Sequence, residues 1–510
     1  MSGESGPADP RTGQSRSGPA PATEEDIATA VTAAVSAGVE ARNLSVHWWR
    51  DALRAGAAAL EDARHELVEM ADRETALGTE RLVPEHSRMC GQLRMFADLV
   101  ESGRHLDATL DLADPASAPP RPDIRRLGTP LGPVVVFEAS NFPLAFGVAG
   151  NDTASALAAG CPVIVKAHPL HPTTSERVAT ILAEAIRAHG GPHALVSLIH
   201  GGPDVAKQLV EHPHVAAVGF TGSFGAGRAL FDLASARPSP IPVFAEMGSL
   251  NPIIVLPRAA ETRGTTIGTQ IGSAVVLGAG QLCTKPGLVF VPASADDLTG
   301  ALRNAVVSSH VRPLLGENLR SRYEEGVARA SARSDGVQRG EQTGGDGFFV
   351  SPVVIEIETE QFVAESIWKE EIFGPATTVV GYRSIEALTA AIATIEGSLA
   401  GAVYADPDER VDSRSAVSAL AARCGRVVYE GPTTGVAVTA AMEHGGPFPA
   451  TTAPGTTSVG TSAVARFLRP VCFQSMPDDL LPPPLRDANP LGITRLVDGE
   501  WTSSAIARDP

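Results

Sequence analysis

A thiol, a carboxylate and an amide occupy positions in this sequence from which they could act on one substrate. Cys283 lies in the polar, glycine-led segment Gly280–Thr284, which connects an apolar stretch to a strand-like run. Glu246 ends a second apolar run, and Asn141 follows a third. A thiol is a nucleophile, a carboxylate can take a proton, and an amide can donate to a developing oxyanion. If the fold brings them together, these residue types predict nucleophilic attack on a carbonyl carbon.

The elements around these residues predict an α/β fold. Residues 24–114 are alanine-rich, with apolar positions recurring at the helical spacing of three and four. From Pro133 to Phe220, short apolar runs alternate with helical segments, and the connections between them are short. Strands and helices in such rotation predict a parallel sheet that is covered on both faces.

Ligands of open parallel sheets bind at the carboxyl ends of the strands, so the residues after each run are the candidates for binding. Asn141 and Lys166 each stand at such a place, and Gly222 and Ser223 lie in a third. Small residues at a strand-to-helix turn allow backbone N–H groups to approach a phosphate. A tight turn with no ligand explains the same residues equally well.

Composition excludes several classes of protein. The chain has 510 residues, 43% of them apolar, and a formal charge of −17. Its length predicts two or more domains, and its acidity argues against nucleic acid or an anionic membrane as a partner. No run approaches the roughly 20 apolar residues of a membrane span. Five scattered cysteines, an odd number, predict a reducing, cytoplasmic location.

Six motifs in order resemble the series of the aldehyde dehydrogenase superfamily between about Glu24 and Pro470. A narrower likeness, carried in part by Ala139–Phe146 and His444–Pro447, is to the branch that holds 2-oxoglutarate semialdehyde dehydrogenases and a bacterial NADP-dependent fatty aldehyde dehydrogenase. The resemblance implies a Rossmann-type parallel-sheet cofactor domain, a second α/β catalytic domain and an extended oligomerisation arm. The six motifs are Asn141, Lys166, Phe220-Thr221-Gly222-Ser223, Glu246-Met247-Gly248, Gly280-Gln281-Leu282-Cys283 and Glu370-Glu371-Ile372-Phe373-Gly374-Pro375.

The resemblance implies oxidation of an aldehyde to a carboxylate. Cys283 would attack the aldehyde carbon, and the Asn141 amide would hold the oxyanion of the thiohemiacetal. Glu246 would raise the thiolate fraction, directly or through water, and would activate the water that hydrolyses the thioester. His444 would lie near the thiol, although an ordinary loop histidine fits its sequence as well. No metal site is predicted.

The expected substrate is a small semialdehyde such as 2-oxoglutarate semialdehyde. Three alternatives remain: a long-chain aliphatic aldehyde, acyl transfer to coenzyme A or phosphate, and a catalytically silent structural or binding protein on the same fold. The presence of Glu246 argues against acyl transfer, since that route needs no hydrolytic base.

The resemblance also implies cofactor contacts and assembly. Lys166 would reach the adenosine ribose, Gly222 and Ser223 the pyrophosphate, Glu371 the nicotinamide ribose, and Phe373 the nicotinamide. NAD or NADP is expected, with NADP slightly favoured, because Pro169 stands where NAD-preferring relatives carry an acidic residue; Asp204 argues the other way. A homodimer or homotetramer is expected.

Lys285, two residues past the nucleophile, departs from the pattern of the branch, where a neutral residue is usual. A cation there predicts either a lower pKa for the thiol or a contact with an anionic substrate. The expected division of the chain is a disordered tail (1–23), an N-terminal helical part of the cofactor domain (24–114), an extended arm (115–129), a dinucleotide-binding domain (130–245), a catalytic domain (246–430) and a C-terminal segment that returns to the cofactor domain and the oligomer interface (431–510).

Overall fold

The computed structural model describes residues 7–507. Their helices begin at recognisable signals: Thr23 forms a capping box with Asp26, and Ser45 accepts a hydrogen bond from the backbone N–H of Trp48. The helices are α1 (Glu24–Ala41), α2 (Val46–Asp62), α3 (Arg64–Thr75), α4 (Thr79–Ser102), α5 (Asn151–Ala158), α6 (Pro172–Ala188), α7 (Pro203–Glu211), α8 (Phe224–Ser235), α9 (Pro257–Val276), α10 (Asp296–Val307), α11 (Glu317–Ser331), α12 (Thr359–Ala364), α13 (Ile385–Ala393) and α14 (Arg410–Ala421).

The strands form three sheets. They are β1 (Thr109–Asp111), β2 (Ile124–Pro130), β3 (Val134–Phe137), β4 (Val163–Lys166), β5 (Val196–Ile199), β6 (Ala217–Thr221), β7 (Val243–Glu246), β8 (Ile253–Val255), β9 (Leu288–Pro292), β10 (Val337–Arg339), β11 (Val353–Glu358), β12 (Ala376–Tyr382), β13 (Ser398–Tyr404), β14 (Cys424–Tyr429), β15 (Leu468–Gln474), β16 (Arg495–Val497) and β17 (Glu500–Thr502).

The first sheet confirms the predicted α/β class. Its strands lie in the order β5-β4-β3-β6-β7, and all neighbours are parallel. Strands β3 and β4 are buried along their whole length, which explains why their sequences are continuous apolar runs. The order runs outward from β3 in both directions, so a crevice for ligands is expected at the carboxyl ends of β3 and β6. Lys166, Thr221 and Glu246 end three of its strands.

The second sheet carries the nucleophile. Its order is β10-β11-β12-β9-β8-β13-β14, and the neighbours are parallel except for the pair β10 and β11. Cys283 lies on the connection between α9 and β9, which is the position that the apolar pattern predicts.

The third sheet joins distant parts of the chain in the order β15-β2-β1-β16-β17. Strand β2 pairs antiparallel with β15 from Ile124 to Pro130, and β1 pairs parallel with β16. The segment expected as an extended arm therefore ends in a strand that the C-terminal region covers.

The N-terminal segment differs from the expected disordered tail. Residues 1–6 lie outside the described residues, but residues 7–23 hold a defined conformation. Arg11 forms an ion pair of 2.8 Å with Asp72, and the Pro10 carbonyl accepts a hydrogen bond from the Phe348 amide. Composition predicted disorder because the segment has few apolar residues; ionic and backbone contacts to distant elements hold it instead. Within residues 7–507, no helix is long and apolar enough to cross a membrane.

Candidate active site

The nucleophile loop follows a tight turn. Helix α9 ends at Val276, and Gly278, Ala279 and Gly280 all adopt positive φ in the short helical turn that follows. Ala279 is the costly member of this series, because a residue with a side chain rarely adopts that region. The turn brings Cys283 to a half-buried position, where its carbonyl accepts a hydrogen bond of 2.8 Å from Asn251 Nδ2.

His444 contacts both the thiol and the carboxylate, and the reactive atoms of the three side chains lie within 4.8 Å of one another. Its Nε2 is 3.5 Å from Cys283 Sγ and 3.2 Å from Glu246 Oε1. The Ser458 hydroxyl donates to the other oxygen of Glu246 and also lies 3.0 Å from the His444 carbonyl. The His444 backbone N–H donates to Thr457 Oγ1 over 2.9 Å, so the backbone N–H and the backbone carbonyl of the histidine both have hydrogen-bond partners.

The buried histidine and carboxylate form an ion pair. Burial by itself would lower the pKa of His444, but the Glu246 carboxylate and the Cys283 thiol beside it raise that pKa to about 10. For Glu246, burial acts to raise the pKa, and His444, Ser458 and Arg466 outweigh it, so the pKa of the carboxyl falls below its usual value. An imidazolium therefore stands beside the sulfur at neutral pH and stabilises a thiolate there. Glu246 is expected to act on the thiol directly or through water; in the structure His444 contacts both groups, and the reactive atoms of the three side chains all lie within 4.8 Å of one another.

Asn141 meets the nucleophile loop two residues before the thiol. The side-chain Nδ2 of Asn141 donates over 2.8 Å to the backbone carbonyl of Gln281, and the backbone carbonyl of Asn141 accepts from the Arg81 guanidinium. Gln281 is itself held by the backbone N–H of Leu315, 2.9 Å from its Oε1. The amide is buried and fixed at the same loop as Cys283.

A cavity of about 630 Å³ opens onto Cys283 and His444. Its walls are apolar on several sides, including Phe142 and Phe146, yet two arginines of α4 also line it. Further lining residues are Leu77, Pro84, Val276, Leu282, Thr284, His310, Arg312 and Val436.

The two α4 arginines are partly unpaired. Arg81 lies over the Phe142 ring at 4.6 Å, and Arg88 lies over the Phe146 ring at 5.2 Å. Arg81 Nη1 and Arg88 Nη2 are buried and have no hydrogen-bond partner among residues 7–507. Burial lowers the pKa of both guanidinium groups. A buried donor without a partner is costly, and an anionic ligand would remove that cost.

The residues expected at the cofactor lie at strand ends and in one loop. Lys166 is buried at the end of β4, and the Ser223 hydroxyl accepts from the Ala226 backbone N–H at the exposed start of α8. Glu371 and Phe373 lie half-buried in the loop before β12.

Two glycines leave space beside the residues that are expected to bind the cofactor. A Cβ on Gly248 would overlap Glu371 Oε2, so only glycine lets that carboxylate approach the chain after β7. Gly225 has no atom within 4 Å of where its Cβ would be, which leaves the first turn of α8 open. A helix N-terminus with a hydroxyl, and a lysine at the carboxyl end of another strand of the same sheet, suit a pyrophosphate and a ribose, so the residues fit a dinucleotide.

Lys285 does not line the cavity, so the expected contact with an anionic substrate is wrong. Its side chain is 1% exposed, and its Nζ donates to the carbonyls of Ile372 and Ala376 over 2.9 and 2.7 Å. The ammonium points away from the thiol and toward the loop that contains Glu371. Its position next to Cys283 in sequence gave no sign of this direction.

Sequence reasoning missed several residues that hold the site. Ser458, Thr457 and Asn251 carry the hydrogen bonds described above, and Arg81 and Arg88 line the cavity. The two arginines stand in an ordinary amphipathic helix, and Ser458 lies in a stretch rich in small polar residues, so neither pattern marks a site. Among the residues that hold the site, only Gln281 could have been singled out from the sequence, because it stands two residues before Cys283.

Comparison with protein-family models matches residues 5–447 to the aldehyde dehydrogenase family. Among characterised proteins, alpha-ketoglutaric semialdehyde dehydrogenase 2 of Azospirillum brasilense is 44% identical over 454 residues, which cover 87% of this chain and 85% of that protein. Alpha-ketoglutaric semialdehyde dehydrogenase of Acinetobacter baylyi is 39% identical over 497 residues, which cover 95% and 93%.

Solved structures show the same fold at lower identity. Betaine aldehyde dehydrogenase from Staphylococcus aureus is 22% identical with a TM-score of 0.78, covering 93% of this chain and 94% of that one. Aldehyde dehydrogenase 21 from Physcomitrella patens is 21% identical with a TM-score of 0.77, covering 92% and 94%.

Proposed function

Because this chain belongs to the aldehyde dehydrogenase family, we propose that it oxidises a small semialdehyde that carries a carboxylate, of the 2-oxoglutarate semialdehyde type, with NAD(P). The observation that carries the choice of substrate is the pair of unpaired arginine nitrogens in the cavity that opens onto Cys283. The names of the two relatives at 44% and 39% identity support the same choice.

Cys283 attacks the aldehyde carbon as a thiolate that the His444 imidazolium stabilises. The Asn141 amide, held beside the loop by Gln281, donates to the oxyanion of the thiohemiacetal together with the Cys283 backbone N–H. The cofactor, when bound, supplies the hydride acceptor; Lys166, Gly222, Ser223, Glu371 and Phe373 would hold it.

Glu246 then acts as the base that activates water for hydrolysis of the thioester on Cys283. Its contacts with His444 and Ser458 keep it ionised, which is the form a base requires. The ring of His444 contacts both Glu246 and the sulfur, and the reactive atoms of the three residues lie within 4.8 Å of one another. We infer that the attacking water lies between the carboxylate and the thioester carbon, beside this ring.

The arginines favour a carboxylated substrate over a long aliphatic one. An alkyl chain would cover the unpaired nitrogens of Arg81 and Arg88 without giving them an acceptor, and each uncompensated group costs about 1–3 kcal/mol. A carboxylate instead gives charge-assisted hydrogen bonds in a cavity whose remaining walls are apolar. The cavity could still admit an aliphatic aldehyde, so the aliphatic substrate remains the second candidate.

We propose NADP as the slightly preferred cofactor. Pro169 follows Lys166 at the end of β4 and offers no carboxylate to repel a 2′-phosphate. Asp204, exposed at the start of α7, is the residue that would oppose this preference.

The test is a panel of aldehydes, short carboxylated ones against long aliphatic ones, with NAD and NADP, on the parent and on Cys283→Ala. We expect the largest kcat/KM for 2-oxoglutarate semialdehyde, a modest preference for NADP, and no turnover by Cys283→Ala. An aliphatic aldehyde of similar length that performs as well as the semialdehyde would remove the proposed substrate. A Cys283→Ala variant as fast as the parent would remove the mechanism.

Arg88→Met tests the carboxylate site itself. It keeps the bulk of the side chain and removes the charge, so we expect KM for the semialdehyde to rise about tenfold or more, while the rate with an uncharged aldehyde of equal length changes little. Arg94→Met is the matched control, since Arg94 lies on the same helix but pairs with Glu61 outside the cavity. Equal losses for charged and uncharged aldehydes would show that Arg88 supports the helix and does not bind substrate.

We also propose the domain division given above, except for the N-terminal segment, and a homodimer or homotetramer. The third sheet supports the assembly, because its edge strand β15 contains only exposed and half-buried residues and leaves one side of its backbone unpaired within residues 7–507. A cytoplasmic location is consistent with the five cysteines, which are all free within the described chain.

A further inference from the structure

Two loops of the site touch each other directly. We define the nucleophile segment as residues 280–285 and the cofactor segment as residues 371–376. A Cβ on Gly280, whose φ is +67°, would overlap the Gly374 carbonyl, so the two backbones are in contact at this point. Gly374, at a φ of +145°, packs in turn against the ring of Tyr323. The cofactor segment is therefore bent sharply between a tyrosine ring and the nucleophile segment.

The Lys285 side chain forms hydrogen bonds to both ends of the bend in the cofactor segment. Its ammonium donates to the Ile372 carbonyl over 2.9 Å and to the Ala376 carbonyl over 2.7 Å, so one side chain closes the cofactor segment on either side of Gly374. Asn251 fixes the lysine's own backbone, because its Nδ2 donates to the Lys285 carbonyl over 2.9 Å and to the Cys283 carbonyl over 2.8 Å. Asn251 therefore holds the backbone of both Lys285 and Cys283.

The charge of Lys285 also acts on Glu371. Burial lowers the pKa of Lys285 to about 8, and the Glu371 charge opposes that change. Burial raises the pKa of Glu371 to about 7, and the Lys285 charge opposes it in the same way. Each charged form stabilises the other, and the carboxylate is confined beside Gly248, where a side chain would not fit.

We infer that Lys285 is a positioning residue that holds the cofactor segment against the nucleophile segment, and thereby sets the affinity for the dinucleotide through the placement of Glu371 and Phe373. The inference rests on the proposed cofactor contacts of these two residues. The ammonium of Lys285 donates to two carbonyls of the cofactor segment at once, which gives a physical reason for a lysine where the resembling branch carries a neutral residue.

The experiment is Lys285→Met, which keeps the length and loses both donors and the charge. We expect KM and Kd for the cofactor to rise about tenfold or more, while kcat at saturating cofactor falls far less, because the lost hydrogen bonds are to the cofactor segment and not to the reacting atoms. Kd is measured on the whole protein by the fluorescence of bound NADPH. Lys285→Gln, which keeps a donor, is measured beside it and carries the test if the methionine variant does not fold.

Two further variants separate the inference from its premise. Lys369→Met removes a lysine near the same segment whose ammonium donates to the Val363 carbonyl at 3.5 Å and lies 5.5 Å from the centre of the Phe362 ring, and it should leave cofactor affinity unchanged. Glu371→Gln should weaken cofactor binding if the proposed contact is right. Weak binding in Glu371→Gln with normal binding in Lys285→Met and Lys285→Gln would overturn the inference and leave the proposed function standing. Normal binding in all of them would remove the proposed role of Glu371 as well.

The thiol gives a second readout. Alkylation of Cys283 by iodoacetamide without cofactor should proceed in Lys285→Met at nearly the parent rate, because His444 and Asn251 remain in place. A fall in alkylation rate and kcat with unchanged cofactor KM would mean that Lys285 acts on the nucleophile, and it would overturn the inference.

Discussion

At the scale of single residues, His444 interacts with both the Cys283 thiol and the Glu246 carboxylate. One ring nitrogen lies within 3.5 Å of both Cys283 Sγ and Glu246 Oε1, and a single N–H cannot point at both. The charged ring is therefore an electrostatic partner of both groups: in the proposed mechanism it favours the thiolate during attack and keeps Glu246 ionised for hydrolysis.

His444→Gln should slow alkylation of Cys283 by iodoacetamide about tenfold near pH 7, because the nearby positive charge that favours the thiolate is lost. The sign of the pH dependence follows from the raised pKa of His444. The imidazolium persists at all pH values below about 10, so the difference between parent and variant should be large at neutral pH and should shrink as pH approaches 10. There the histidine loses its proton, so its charge no longer distinguishes the parent from the variant.

Peptide-resolved mass spectrometry measures this rate with an internal reference. Cys472 is exposed on β15 and should react equally in parent and variant at every pH. A His444→Gln variant whose Cys283 reacts at the parent rate near pH 7 would show that the imidazolium does not activate the thiol.

The candidate residues could be named from the sequence because each carries its chemistry in its type and its place after an apolar run. The sequence could not show that they meet; in the structure Asn141 contacts the loop of Cys283, and His444 contacts both Cys283 and Glu246. The direction of a long side chain was not predictable. Lys285 was expected near the thiol or the substrate and instead reaches Ile372 and Ala376, because tertiary contacts far along the chain decide where an ammonium finds acceptors.

At the scale of elements, the site depends on how closely the nucleophile segment approaches the cofactor segment. Gly280 is the contact, and its positive φ and its missing side chain are both required. Backbone atoms of Gly374 and Pro375 surround the place where a Cβ would stand, so no flexible side chain can give way.

Gly280→Ala should therefore separate the two segments, lowering kcat/KM by at least tenfold and destabilising the fold by about 1–3 kcal/mol through strain at a positive φ. Gly300→Ala is the matched control. Gly300 lies inside α10 with no atom within 4 Å of its Cβ position, so alanine there should add roughly 0.5–1 kcal/mol of stability and leave activity unchanged. Denaturant unfolding and steady-state kinetics measure both effects, and a fully active Gly280→Ala would contradict the tight contact.

The sheets were predictable to a similar degree. Fully apolar strands such as β3 and β4 mark a buried parallel sheet, and the structure confirms that class. The pairing of β2 with β15 was beyond sequence reasoning, since some 340 residues separate partners such as Thr129 and Arg469, and an edge strand with exposed residues has no distinctive pattern.

At the scale of the whole molecule, the C-terminal region supports the catalytic base from the far end of the chain. Arg466 is buried and donates to Asp152 of α5 over 2.6 Å, and its charge lowers the pKa of Glu246. The preceding residue of α5 adds a second contact, because Asn151 Nδ2 donates to the Ser458 carbonyl over 2.5 Å. Ser458 in turn donates to Glu246, so one helix of the cofactor domain fixes the segment that orients the base.

Arg466→Met should cost about 3–5 kcal/mol of unfolding free energy, because it leaves the buried Asp152 carboxylate without its cation. It should also slow hydrolysis of the thioester more than attack on the aldehyde, since Glu246 loses a charge that keeps it ionised. A burst of reduced cofactor before a slower steady state would report that difference. Arg469→Met removes an exposed arginine three residues away and should change neither the stability nor the rate of hydrolysis.

The double variant Asp152→Asn/Arg466→Met separates charge from packing. It should recover part of the lost stability, because no uncompensated charge remains. If it is as unstable as Arg466→Met, the arginine contributes through packing against Phe244 and Phe467 and not through its charge.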